Sequence, residues 1–156
     1  MSTTTVTRRE TTNEPAFYRF NGAGSTPRSL NVLLAGDDRE MRTQLAAILE
    51  ADGHHVTEAL DRDDLLQRIS PEALEDGEYD VIISDVLVPG VIGLRALMRL
   101  NEEPMAPPVV LTAGCGYPYV HEWATRCGVA AVFDEQVEFD DLRTVLLNLR
   151  SRHLRH

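Results

Sequence analysis

The chain contains no lysine: all 15 of its basic residues are arginine. Any function that depends on a lysine ammonium is therefore closed to it. Cysteine is scarce. Cys115 and Cys127 form neither a disulfide framework nor a metal-site spacing, so two reduced thiols are expected. No apolar run approaches the roughly 18 residues of a membrane span, and the opening MSTTTVTRRE lacks the apolar core of a secretory signal. The expected setting is cytoplasmic, away from membranes. Basic charge is also in deficit. At a formal net charge of −10 the protein is repelled by DNA and anionic lipid, which argues against nucleic-acid and membrane partners.

What is present is ordinary for a globular chain, with 43% apolar and 26% charged residues in 156, enough for one core. Residues 1–29 are rich in Thr, Ser, Asn, Gly and Pro without a sustained period and are read as a flexible tail. A domain is expected over 30–150, followed by a basic tail over 151–156 that extends the last helix with solvated charges. No room is expected after that helix for a DNA-binding output domain.

From Leu30 short apolar runs alternate with amphipathic stretches. Residues 31–35, 55–59, 80–84, 108–112 and 129–133 read as strands. Residues 39–51, 61–69, 93–100, 119–126 and 139–149 read as helices. Asp38 is placed to cap the first helix and Asp52-Gly53 to end it. Ser70-Pro71 opens a further turn or short helix in a surface insertion. Five β-α alternations predict an α/β fold, a parallel sheet between two helical layers, with any site beyond the carboxyl ends of the strands.

Those ends carry Gly36-Asp37-Asp38, then Asp85 followed by Val86-Leu87-Val88-Pro89-Gly90, then Thr112-Ala113, then Asp134-Glu135-Gln136. Converging carboxylates could hold Mg²⁺, and an aspartate there could accept a phosphoryl group. Taken singly, each residue is more often a turn, a cap or a structural hydroxyl. The set in order, on this fold, is far more specific.

The segments Val32-Leu33-Leu34-Ala35-Gly36-Asp37-Asp38, Tyr79 to Gly90 with Gly93, and Pro108 to Ala113 resemble response-regulator receiver domains of two-component signalling, over about residues 30–150. The resemblance implies a flavodoxin-like (βα)5 sandwich with sheet order 2-1-3-4-5, a signalling module rather than an enzyme. It implies Asp85 as phosphoacceptor, with Asp37, Asp85 and the Leu87 carbonyl toward Mg²⁺. Thr112 and the Ala113 amide would contact the phosphoryl group, and a histidine kinase or another signalling protein would be the partner. A homodimer through the face of the fourth helix, fifth strand and last helix is a further expectation.

Three positions depart from the pattern. Gly36 stands where the first of two acidic residues is expected. Counted from Gly128, Glu135 stands in place of the lysine and Val132 in place of the switch aromatic. A slip of one residue would bring Phe133 and Gln136 there instead, and neither supplies a cation; Arg39 and Arg126 lack the spacing to do so. Two functions follow: an atypical receiver acting by protein contact, with phosphorylation impaired or dispensable, and a phosphorylation-competent single-domain regulator. A small flavodoxin-like enzyme is disfavoured because no glycine-rich phosphate loop follows the first strand.

Overall fold

A computed structural model of the chain describes residues 4–6, 29–36, 38–85, 99–100, 102–103, 106–112, 122, 124, 126, 128–133 and 137–153. Its elements are β1 (Thr4–Val6), β2 (Asn31–Ala35), α1 (Arg39–Ala51), β3 (His55–Ala59), α2 (Arg62–Arg68), α3 (Pro71–Glu75), β4 (Val81–Asp85), β5 (Val109–Thr112), β6 (Ala131–Phe133) and α4 (Phe139–His153). All pairings are parallel, and the strands lie in the order β1-β6-β5-β4-β2-β3. Counted from Asn31, this is the expected 2-1-3-4-5 order. The sixth strand, β1, falls within the stretch read as a flexible tail, and that reading fails for Thr4–Val6.

Alternation along each strand splits the core into two layers. Val32 and Leu34 face Leu45, Ala46 and Leu49 of α1 and Leu142 and Leu146 of α4. Leu33 and Ala35 face the opposite layer, with Leu65 of α2, Leu74 of α3 and the buried helical residues Leu100 and Ala124. Strands with apolar side chains on both faces are stable only when helices cover both sides, the usual condition of a parallel sheet. The helices expected over 93–100 and 119–126 lie largely outside the described residues.

Local signals place the helix ends. Asp38 accepts from the Glu40 and Met41 amides at 3.0 and 3.2 Å, satisfying donors that the first turn of α1 leaves open. Gly53, at φ +95°, then takes the left-handed conformation beyond the helix end. The insertion before β4 forms α3, with Ser70 as cap, Pro71 in its first turn and Leu74 buried in the core. α4 runs on to His153, a turn past its expected end. Arg143 of α4 forks onto Asp52, with Nε to Oδ2 at 2.7 Å and Nη2 to Oδ1 at 3.3 Å, tying the last helix to the end of α1.

Asp64 in α2 is a small hub. It accepts from the Leu60 amide at 3.0 Å and from Arg68 Nε at 2.9 Å, while Arg68 also donates to the Tyr79 hydroxyl. The Leu60 hydrogen bond, helped by the Arg68 charge, holds the Asp64 carboxyl below its usual range. A lowered carboxyl stabilises the fold above its unfolded-state pKa, and the effect is lost as pH falls through the lowered value. Asp64→Asn is expected to lower the melting temperature at pH 7. The gap to wild type should close as the pH drops below about 4, followed by thermal denaturation across pH 2.5–7; a gap that is constant with pH would contradict this assignment.

Candidate functional site

Strand register assembles the rim. Ala35, Ser84, Leu111 and Val132 form one continuous row across β2, β4, β5 and β6. One residue further along, Asp85 pairs with Thr112, and Gly36 follows Ala35 beside them. A Cβ built on Gly36 would lie 3.9 Å from the Asp85 Cβ. Asp85 and Thr112 share the face of Ile83 and Val110, which is the face covered by α1 and α4. Three of the expected positions are thus adjacent: Gly36, the half-buried Asp85 and the buried Thr112. Asp37, Leu87, Ala113 and Glu135 lie outside the described residues.

The polarity of the rim is out of keeping with its burial. Among the described residues, the polar side chains in the buried class are Ser84 and Thr112, and both are here. A buried hydroxyl is costly unless it is hydrogen-bonded. Thr112 Oγ1 donates to the Ser84 carbonyl at 3.5 Å, the outer limit of a hydrogen bond, and Ser84 Oγ donates to the Asp85 carbonyl at 3.3 Å. A hydroxyl held so loosely can turn toward an anion beside Asp85 at little cost. The Asp85 carboxylate is an oxygen donor of the kind Mg²⁺ takes.

Val132 is fully buried, packed in the layer that also holds Leu111 and Ala124. Phe133 points to the other layer, among Val110, Val137 and Leu142. The ring at the end of β6 is therefore an inner core residue.

The sequence reading missed Arg42. Its guanidinium donates from Nη1 to the Gly36 carbonyl at 2.6 Å and from Nε to Glu58 at 3.0 Å. Its Cβ is 4.0 Å from the position a Gly36 Cβ would take. Arg42 thus clamps the backbone one residue before Asp37 and joins α1 to β3. Its spacing from Asp38, one helical turn on, is the signal that could have found it. The two cations considered earlier sit elsewhere: Arg39 is exposed at the start of α1, and Arg126 pairs with Glu122 at 2.9 Å on the surface. His54, at the amino end of β3, accepts the Leu30 amide at Nδ1, far along the sheet from Asp85. Among the described residues no group of three His, Cys, Asp or Glu side chains forms a metal cluster.

The Arg42 side chain is 10% exposed, so little solvent can replace its contacts. Arg42→Ala is expected to destabilise the fold by about 1 kcal/mol, because it removes the donor of the Gly36 carbonyl, while Glu58, 34% exposed, regains water. Arg42→Lys should recover only part of this, since an ammonium lacks the planar fork that spans two acceptors. Urea unfolding of the two variants checks the order; equal stability of Arg42→Lys and wild type would refute the clamp.

Comparison with known proteins gives one answer. The family described as the response regulator receiver domain matches residues 32–147. The transcriptional regulatory protein TcrA of Mycobacterium tuberculosis is 29% identical over 87 residues, 56% of this chain and 32% of TcrA. CpxR of Escherichia coli K12 is 33% identical over 82 residues, 53% of this chain and 33% of CpxR. The chain spans about a third of the length of the curated regulators it matches. Among solved structures, the Francisella response regulator 1452 receiver domain superposes with a TM-score of 0.67 at 22% identity, covering 80% of this chain and 99% of that one. The receiver domain of the Pseudomonas aeruginosa sensor histidine kinase PA1611, with magnesium coordinated in its active site cleft, gives 0.64 at 19% identity, covering 78% and 98%. The rim of Gly36, Asp85 and Thr112, on a parallel sheet of this order, therefore has its place in a known family: the chain belongs to the response regulator receiver domains.

Proposed function

We propose that this receiver works by protein contact, with phosphorylation of Asp85 weak or dispensable, and that its partner is a histidine kinase or another signalling protein. The observation that carries this reading is the missing ammonium. With no lysine in the chain, the position after β6 holds Glu135, and a phosphoryl group on Asp85 would add nearly two negative charges to an already acidic rim. A unit charge pair at about 4 Å and an effective dielectric near 20 is worth about 4 kcal/mol. Exchanging lysine for glutamate removes that attraction and adds a repulsion when the carboxylate faces inward. The Arg42 guanidinium does not replace it, being engaged by Glu58 and the Gly36 carbonyl.

The switch side chain supports the same reading. Val132, fully buried, has no ring whose rotation could report occupancy at Thr112. Magnesium remains compatible with the pocket. Asp37, Asp85 and the Leu87 carbonyl would hold the ion, in keeping with the magnesium coordinated in the active site cleft of the PA1611 receiver, and when bound it would offset charge at the carboxylates.

The test is exposure to acetyl phosphate with Mg²⁺, read by intact mass. Wild type is expected to carry little adduct on Asp85. Gly36→Asp/Glu135→Lys, which restores the second carboxylate and the ammonium, is expected to raise adduct occupancy at least about tenfold, from the charge terms above. The contacts around Gly36 leave space for the aspartate. Stoichiometric adduct on wild type, abolished by Asp85→Asn, would instead establish an ordinary phosphorylation-competent regulator.

A further inference from the structure

The two edges of the sheet are treated differently. The β3 edge carries the exposed His55 and the partly exposed Glu58, charges and polar groups that discourage a further strand. The β6 edge, Ala131-Val132-Phe133, has no charge and no proline. It is covered by β1, in register Thr4 with Ala131, Thr5 with Val132 and Val6 with Phe133. Without β1 this edge would present unpaired backbone donors and acceptors beside fully buried apolar residues.

The cover is short and held from a distance. Three residue pairs form a marginal ladder, and residues 7–30 separate β1 from β2. Four strand spacings of about 4.8 Å, roughly 19 Å, separate their positions in the sheet, well within reach of such a connection. The segment Thr3-Thr4-Thr5-Val6-Thr7 is uncharged and β-branched, suited to a pleated edge and to little else. β1 also lies on the strand of Val132, in the row that continues through Leu111 to Ser84, one residue below Asp85.

We propose that the β6 edge is a strand-docking site, occupied in the resting molecule by the chain's own Thr4–Val6. An extended, uncharged, β-branched segment of a partner protein gains the site by displacing β1 and adding in parallel. This is strand addition with a built-in competitor. It extends the contact-based reading above, because it supplies an output element on β6 where Val132 offers no rotating ring. The homodimer face expected from sequence includes this strand, and β1 takes its edge.

The test uses the full chain with Thr5→Pro/Val6→Pro, which removes the one of these two consecutive amides that donates to β6, fixes φ at both positions, and leaves β6 paired to β5. Amide exchange at Ala131 and Phe133, whose N–H groups face away from β5 and toward β1, is expected to accelerate at least tenfold. A fluorescent peptide of residues 1–10 should bind the variant at least tenfold more tightly than wild type, and the same peptide with both prolines should not bind. Equal exchange in variant and wild type, or no binding of the peptide to either, would overturn the proposal. Should the double variant not fold, a chain lacking residues 1–10 repeats both measurements and retains the whole matched segment 32–147. Neither measurement involves acetyl phosphate. A stoichiometric Asp85 adduct would therefore overturn the contact-based reading while leaving the docking result to stand or fall by itself.

Discussion

Everything at the candidate site depends on the backbone ladder that joins β2, β4, β5 and β6 in one register. Ala35, Ser84, Leu111 and Val132 lie in a single row, and the next row brings Gly36, Asp85 and Thr112 side by side. Shifting any strand by one residue would turn Val32 and Leu34, or Ile83 and Val110, out of the layer they fill. The register is therefore held by two apolar layers at once, one under α1 and α4 and the other under α2 and α3. The polar rim is placed by packing in which it takes no part.

On that frame the charges are unusual for their surroundings. Two buried hydroxyls and a half-buried carboxylate meet where the sequence offers no ammonium, and the nearby guanidinium is turned to the backbone. By holding the Gly36 carbonyl, Arg42 shapes the loop that leads into Asp37, and by holding Glu58 it binds that loop to the sheet edge. A side chain at position 36 would start in ordinary contact with the Cβ atoms of Asp85 and Arg42, at 3.9 and 4.0 Å.

The β6 edge gives the family fold an addition of its own. Covering an uncharged edge with a tethered strand protects it from unwanted pairing, and the same shortness that makes the cover adequate makes it exchangeable. On the proposal made above, the strand beside β6 can be on or off.

Local chemistry in the sequence was sufficient for most of the frame. Doubly apolar strands, the helical stripe ending in Leu45 and Leu49, the Asp38 cap and the strand-end residues Asp85 and Thr112 are all short-range signals, and each was legible. Arg42 was less so, because a guanidinium's partners, Gly36 and Glu58, meet only when α1 folds over β2 and β3. β1 was the least legible: Thr4-Thr5-Val6 is too short and too polar to form a strand without an edge to receive it. Periodicity and capping are properties of consecutive residues and can be read from the chain alone. An edge strand and a clamp across three elements exist only through partners far away in sequence, so the folded sheet had to decide them.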